Sequence, residues 1–158
     1  MSALKRVIQA LGIALLALLA TQVSAQSYGT PVTLDAAKKI AAASAVEAKR
    51  NNWNVAIAIV DNHGFLIYYE MMDDTQTISA NLAIEKARTA AMLRRPTKAL
   101  EDATNKGRVS LLGVPGLLPI DGGLPIVMGG KIIGGVGVSG AASPEDAQVA
   151  KAGLEGLK

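Results

Sequence analysis

His63 is the only histidine in the chain, and there is no cysteine. Those two facts bound the available chemistry. Thiolate metal sites, c-type haem attachment and multi-histidine metal centres are excluded. Any Ser-His-Asp arrangement would have to run through His63. Glu85 and Asp121 are candidate acids, but neither has a partner implied by spacing. No catalytic constellation is visible. Near the other end, Gly135-Val136-Gly137-Val138-Ser139-Gly140 matches a dinucleotide-binding fingerprint letter for letter. That motif needs a strand before it, a helix after it and then a second strand. Only 18 residues follow Gly140, and one helix uses them up, so the unit cannot be completed.

The elements that must position these residues begin after a leader. Lys5 and Arg6 precede an apolar run, Val7–Ala20, and Val23-Ser24-Ala25 supplies a small-x-small cleavage site. The pattern predicts a signal peptide over 1–25, cut after Ala25, and a periplasmic or secreted product. The run is shorter than the ~20 residues of a membrane span, so no stable span is expected after cleavage. The formal net charge of +3 includes Lys5 and Arg6. The remaining chain, 26–158, is nearly balanced, carries no basic run with interleaved aromatics, and gives no reason to expect a nucleic-acid partner. Its length suits a single domain held by its core alone.

Thr33 reads as an N-cap for a helix over about Leu34–Arg50, with apolar positions Leu34, Ala37, Ile40, Ala41, Ala45 and Ala48 at helical spacing. Val55–Val60 is apolar throughout and reads as a strand buried on both faces. Asp61-Asn62-His63-Gly64 is a turn by composition, with Phe65–Glu70 returning as the partner strand. A second helix, about Ile78–Leu93, carries a stripe of small residues, Ala80, Ala83, Ile84, Ala87, Ala90 and Ala91. Glu85, Arg88 and Thr89 lie elsewhere on its cylinder. Pro96 ends this segment, and a short helix follows over about Lys98–Asn105.

Arg108–Gly123 is rich in glycine and proline yet apolar. Such a loop must fold back on the body, enter a subunit interface or line a pocket. Leu124–Met128 and Lys131–Ser139 then form a hairpin around Gly129-Gly130. Along its second strand, Ile133, Gly135, Gly137 and Ser139 share a face nearly bare of side chains, suited to close packing or to a flat ligand. Ser143 reads as the cap of the last helix, with Pro144 at its first position. Hairpins alternating with helices imply an α+β fold, an antiparallel sheet covered by helices.

Three stretches, VAIAIVDNHGFLIYYEMMDD, IEKARTAAMLRRPTKAL and PGLLPIDGGLPIVMGGKIIGGVGVSGAASPEDAQVAKAGL, resemble the GlcG/HbpS family of small haem-binding proteins, also called the haem-degrading domain family. The resemblance runs from about Leu34 to Leu154. It implies a profilin-like sandwich, a homo-oligomer, and haem or a related tetrapyrrole as a non-covalent ligand. The role implied is that of an exported haem-handling or redox-sensing accessory. Two other roles stay open: a periplasmic binding module for a small organic acid or aromatic metabolite serving a partner enzyme, and a structural oligomer without ligand. Where such relatives commonly read Arg-Met-Asp after the second strand, this chain has Met71-Met72-Asp73, so a cation is missing at Met71.

Haem asks for a flat apolar slot, an axial donor and cations for its propionates. His63 is the chemically strongest axial donor for the haem iron. Tyr68, Tyr69, Met71, Met72, Met92 and Met128 are further donors. Lys86, Arg88, Arg94 and Arg95 are candidate propionate partners. The apolar loop Val109–Ile120 is the expected pocket wall. Gly122 and Gly123 at its end are expected to turn backbone N–H groups toward the ligand.

Overall fold

The computed structural model describes residues 26–157. The leader read over 1–25 lies outside the described residues. Helix α1, Leu34–Arg50, starts where the sequence predicts. The Thr33 Oγ1 accepts the Ala36 N–H at 3.2 Å, Asp35 sits in the first turn, and Lys49 and Arg50 sit in the last. The cap satisfies one orphan donor, and the charges complement the helix dipole. Strands β1, Ala56–Asp61, and β2, Leu66–Met71, form the first hairpin. Helix α2, Ser79–Leu93, stops at Arg94, which takes a left-handed φ of 56°. Helix α3, Lys98–Asn105, leads into a 3-10 turn over Val109–Gly113. Strands β3, Gly123–Met128, and β4, Lys131–Ser139, make the second hairpin, and helix α4, Ser143–Glu155, closes the chain.

The four strands form one antiparallel sheet in the order β2-β1-β4-β3. Strand β1 is central, with Ile57 opposite Val138 and Ile59 opposite Val136. All six of its residues are buried because both faces are covered. Helices α1 and α4 pack on the face that carries Ile57, Ile59, Val136 and Val138, where Ile40, Ala41, Val149 and Ala150 complete the larger core. Helix α2 packs on the opposite face, over Ala56, Ala58 and Val60. The architecture is therefore the α+β sandwich expected from the order of elements.

The side-chain-free face of β4 is filled by α2. A Cβ at Gly137 would stand 2.1 Å from the Ala83 carbonyl oxygen, and one at Gly135 would stand 2.3 Å from that of Ala87. Glycine is required there because helix backbone lies directly on strand backbone. Gly135 and Gly137 of the fingerprint-like run are thus interior strand positions, Gly140 follows the strand's end, and no flat ligand slot exists on this face. At the hairpin tip, Gly129 and Gly130 have φ of +55° and +74°. Two successive positive values are what a tight two-residue hairpin demands.

The cap of the last helix differs from its reading. Ser143 is the first residue of α4, not its cap. Ala142 takes the cap position, and the Glu145 carboxylate accepts the Ala142 N–H at 2.9 Å. Of the three readings left open for the apolar loop, Leu111 and Leu117 meet that of a cleft wall, while Val109 and Leu112 are each 64% exposed. Among the described residues, no helix is long and apolar enough to cross a membrane.

Candidate functional site

The turn that carries His63 is held by its own sequence. Asp61 Oδ1 accepts both the His63 N–H at 2.8 Å and the Phe65 N–H at 2.9 Å. Aspartate two residues before a turn amide is a standard way to fix such a turn. Gly64 follows with φ of +88°. The His63 side chain stands exposed at the tip, next to Phe65, which is 70% exposed.

Helix α2 brings two further groups to this tip. Arg88 Nε donates to the Gly64 carbonyl at 3.0 Å, and its Nη1 donates to Glu85 Oε1 at 2.7 Å. Met92 packs on Gly64, its sulfur 3.1 Å from where a Cβ would stand. One turn on, Tyr28 donates its hydroxyl to the Met92 carbonyl at 2.9 Å, and the Arg94 guanidinium lies 5.4 Å from the centre of the Tyr28 ring. One end of the molecule thus gathers an imidazole, a thioether, an exposed phenyl ring and two guanidinium groups.

Among the residues singled out from sequence, His63, Arg88, Met92 and Arg94 come to this end. Arg95 does not. It lines a separate cleft between the end of α2, helix α3 and the 3-10 turn. Gly122 and Gly123 do not either. The Gly122 N–H donates to Asp121 Oδ1 at 2.8 Å and the Gly123 N–H to Thr97 Oγ1 at 2.9 Å. Both glycines are buried, and both amides are already engaged inside the protein. They have no free N–H to turn toward a ligand.

Lys86 departs furthest from the propionate role read for it. Its side chain is 2% exposed, donating from Nζ to Asp146 Oδ2 at 2.8 Å and to the Val138 carbonyl at 3.0 Å. A Cβ on Gly122 would stand 2.8 Å from that ammonium. Gly122 therefore leaves room for a buried ion pair rather than for a ligand. The spacing held a signal for this: Lys86 sits three residues after Ala83 and beside Ala87, both buried. It belongs to the helix face that meets the sheet.

The remaining donors sort by environment. Tyr68 donates to Glu70 Oε2 at 3.2 Å. Burial holds the Tyr68 phenol above its ordinary pKa, with the Glu70 charge adding to the effect, and burial does the same for Tyr69. Neither phenol is disposed to become the phenolate that an axial ligand requires. Met128, 53% exposed, stands at the lip of two clefts of about 420 and 370 Å³. Asp121 is buried, and that burial, reinforced by the Glu101 charge, raises its carboxyl pKa against the lowering effect of the Gly122 N–H. Its carboxylate is engaged with its own neighbour's backbone. Glu85 is engaged with Arg88. Among the described residues, no group of three or more histidine, aspartate or glutamate side chains could hold a metal ion.

Sequence reasoning missed Asp61 as the residue that sets the tip and Tyr28 as the anchor of the Met92 end. The first had a signal in its spacing from His63. The second did not, since 64 residues separate Tyr28 from Met92.

Comparison with known proteins places this geometry among relatives. The family model described as haem degrading protein HbpS-like matches residues 32–155. The protein GlcG of Escherichia coli K12 is 49% identical over 103 residues, covering 65% of this chain and 77% of GlcG. The crystal structure of HbpS from Streptomyces reticuli, solved as a double mutant, is similar with a TM-score of 0.76 and 31% identity. That likeness covers 87% of this chain and 94% of HbpS. The crystal structure of a PduOC–haem complex shares the fold, with a TM-score of 0.74 and 24% identity over 80% of this chain and 95% of that one.

Proposed function

The chain belongs to the HbpS-like family of haem degrading proteins, and from that premise we propose that it binds haem at the tip of its first hairpin. The observation that carries the reading is the exposed His63 imidazole in a turn fixed by Asp61 and braced by Arg88. A haem site needs a donor that can reach the iron without disturbing the core, and His63 is such a donor. Met92 offers a thioether on the same tip. Arg88 and Arg94 supply the cations that propionates favour. Phe65 supplies an exposed apolar ring for the macrocycle. The donor set therefore fits the group. When bound, haem supplies a redox-active iron. His63 would hold that iron, and Arg88 would keep the tip in place.

Two further features belong to the same proposal. The chain is exported, on the evidence of Lys5, Arg6, the apolar run and Val23-Ser24-Ala25 in its sequence. It forms a homo-oligomer through the edges of its sheet. Strands β2 and β3 are the two edges, and they expose Leu66, Met71, Val127 and Met128. Edge strands with exposed apolar side chains are ready templates for pairing with another chain.

Titration of the purified protein with haemin tests the reading. A saturable Soret band that moves on binding, and that is lost in His63→Ala, is expected. The absence of any saturable change at micromolar haemin overturns it. N-terminal sequencing of the product recovered outside the cytoplasm tests export, with Gln26 expected as the first residue.

A further inference from the structure

The cleft that takes Arg95 is built from apolar walls and two cations. Leu93 closes it from the end of α2, Ala99, Leu100 and Ala103 from α3, and Leu111 and Leu117 from the loop. Its volume is about 210 Å³. That lies below the roughly 300–1,000 Å³ of drug-sized sites, so its occupant is small. Arg95 and Arg108 stand among these apolar residues. Arg95 uses only Nε, in a long bond of 3.3 Å to the Leu93 carbonyl. Arg108 has no side-chain partner among the described residues.

The acids that would ordinarily neutralise such a pair are turned elsewhere. Glu101 Oε2 accepts the Asp121 N–H at 2.6 Å, and Asp102 pairs with Lys98 on the same helix. Helix α3 offers the cleft only Ala99, Leu100 and Ala103. Both guanidinium groups are exposed beside the apolar wall, with fork donors not used inside the protein and free to meet an anion. The guanidinium fork matches a planar carboxylate in both shape and charge.

We propose that this cleft binds a small carboxylate with an apolar body, a short aliphatic or monocyclic aromatic acid. The carboxylate lies between Arg95 and Arg108, and the apolar body lies against Leu100, Leu111 and Leu117. This site is separate from the hairpin tip and does not depend on haem binding there. Inorganic phosphate satisfies the cations but leaves the apolar wall uncovered, so it binds more weakly.

Isothermal titration of the full chain with benzoate and with hexanoate tests this, with benzamide, hexanamide and inorganic phosphate as comparisons. Saturable binding of at least one acid is expected, stronger by about tenfold or more than its amide. The double variant Arg95→Gln/Arg108→Gln should weaken that binding by a similar factor. Leu111→Trp, which fills the cleft and keeps both cations, should also abolish it. Circular dichroism of each variant confirms that it is folded before titration. Haemin titration of the arginine variant should be unchanged, which separates failure here from failure at the hairpin tip. Absence of binding by both acids overturns the proposal. So does acid binding that survives Leu111→Trp, or phosphate binding that equals the acids.

Discussion

Lys86 and Asp146 form an ion pair at 2.8 Å in which both side chains are 2% exposed. The pair ties α2, on one face of the sheet, to α4. The Lys86 ammonium also reaches the Val138 carbonyl, and Asp146 Oδ1 accepts the Ala141 N–H at 3.0 Å. Every oxygen of the carboxylate is therefore engaged. Removing one partner strands the other charge in the core. Asp146→Asn should cost about 3–5 kcal/mol in urea unfolding. Lys86→Met/Asp146→Asn, which removes both charges, should recover a large part of that loss. A double variant as unstable as the single one would contradict this account of the pair.

Asp121 gives the protein a pH dependence of definite sign. Burial raises its folded pKa above the ordinary 3.8. A raised folded value means that the native state holds its proton more tightly than the unfolded chain. Its contribution to stability is thus greatest below pH 3.8 and is lost as pH rises through the folded value. Asp121→Asn keeps the acceptor for the Gly122 N–H and removes the titration. Relative to the wild-type chain, this variant should gain stability between about pH 3 and pH 7. Denaturant unfolding across that range checks it, and a difference that does not change with pH would refute it.

Gly137 and Gly113 make opposite predictions for the same substitution. A Cβ at Gly137 collides with the α2 backbone at Ala83 and Ala87, whereas one at Gly113 meets nothing within 4 Å. Gly137→Ala should lower stability by about 3 kcal/mol or more, because backbone rather than a flexible side chain must move. Gly113→Ala should be neutral or stabilise by about 0.4–1 kcal/mol through the unfolded chain. Thermal unfolding of the two variants checks the contrast.

These particulars show what a sequence carries and what it does not. Thr33, the apolar spacing over Leu34–Arg50 and the Gly129-Gly130 pair are local signals, and the elements they predict form as read. The bare face of β4 was legible as a packing surface, and alanines 83 and 87 of α2 fill it. The spacing of Lys86 from Ala83 and Ala87 marked the buried face, but its ion pair was not legible, since Asp146 lies 60 residues away. A lysine on a helix is ordinarily solvated. Gly122 and Gly123 looked like ligand-facing amides for the same reason. Asp121 adjoins Gly122 in sequence, but Thr97, 26 residues before Gly123, and the Lys86 ammonium reach them only in the folded chain. Of the haem-site candidates, His63 and Arg88 meet because the turn and α2 converge there. Arg95 falls on the far side of the left-handed stop at Arg94, which redirects the chain.

Arg88 has two roles at the tip, bracing the Gly64 carbonyl and presenting a cation. Arg88→Gln should keep the fold and weaken haemin binding by about tenfold or more. Haemin affinity measured beside the unfolding midpoint separates the two effects. An unchanged affinity would remove Arg88 from the site.

Whether His63 holds a haem iron is decided by haemin titrated into the wild-type protein and into His63→Ala, followed through the Soret band. A saturable shifted band in the wild-type chain that is lost or strongly moved in the variant is the expected result. Identical spectra and affinities in the two proteins would contradict it.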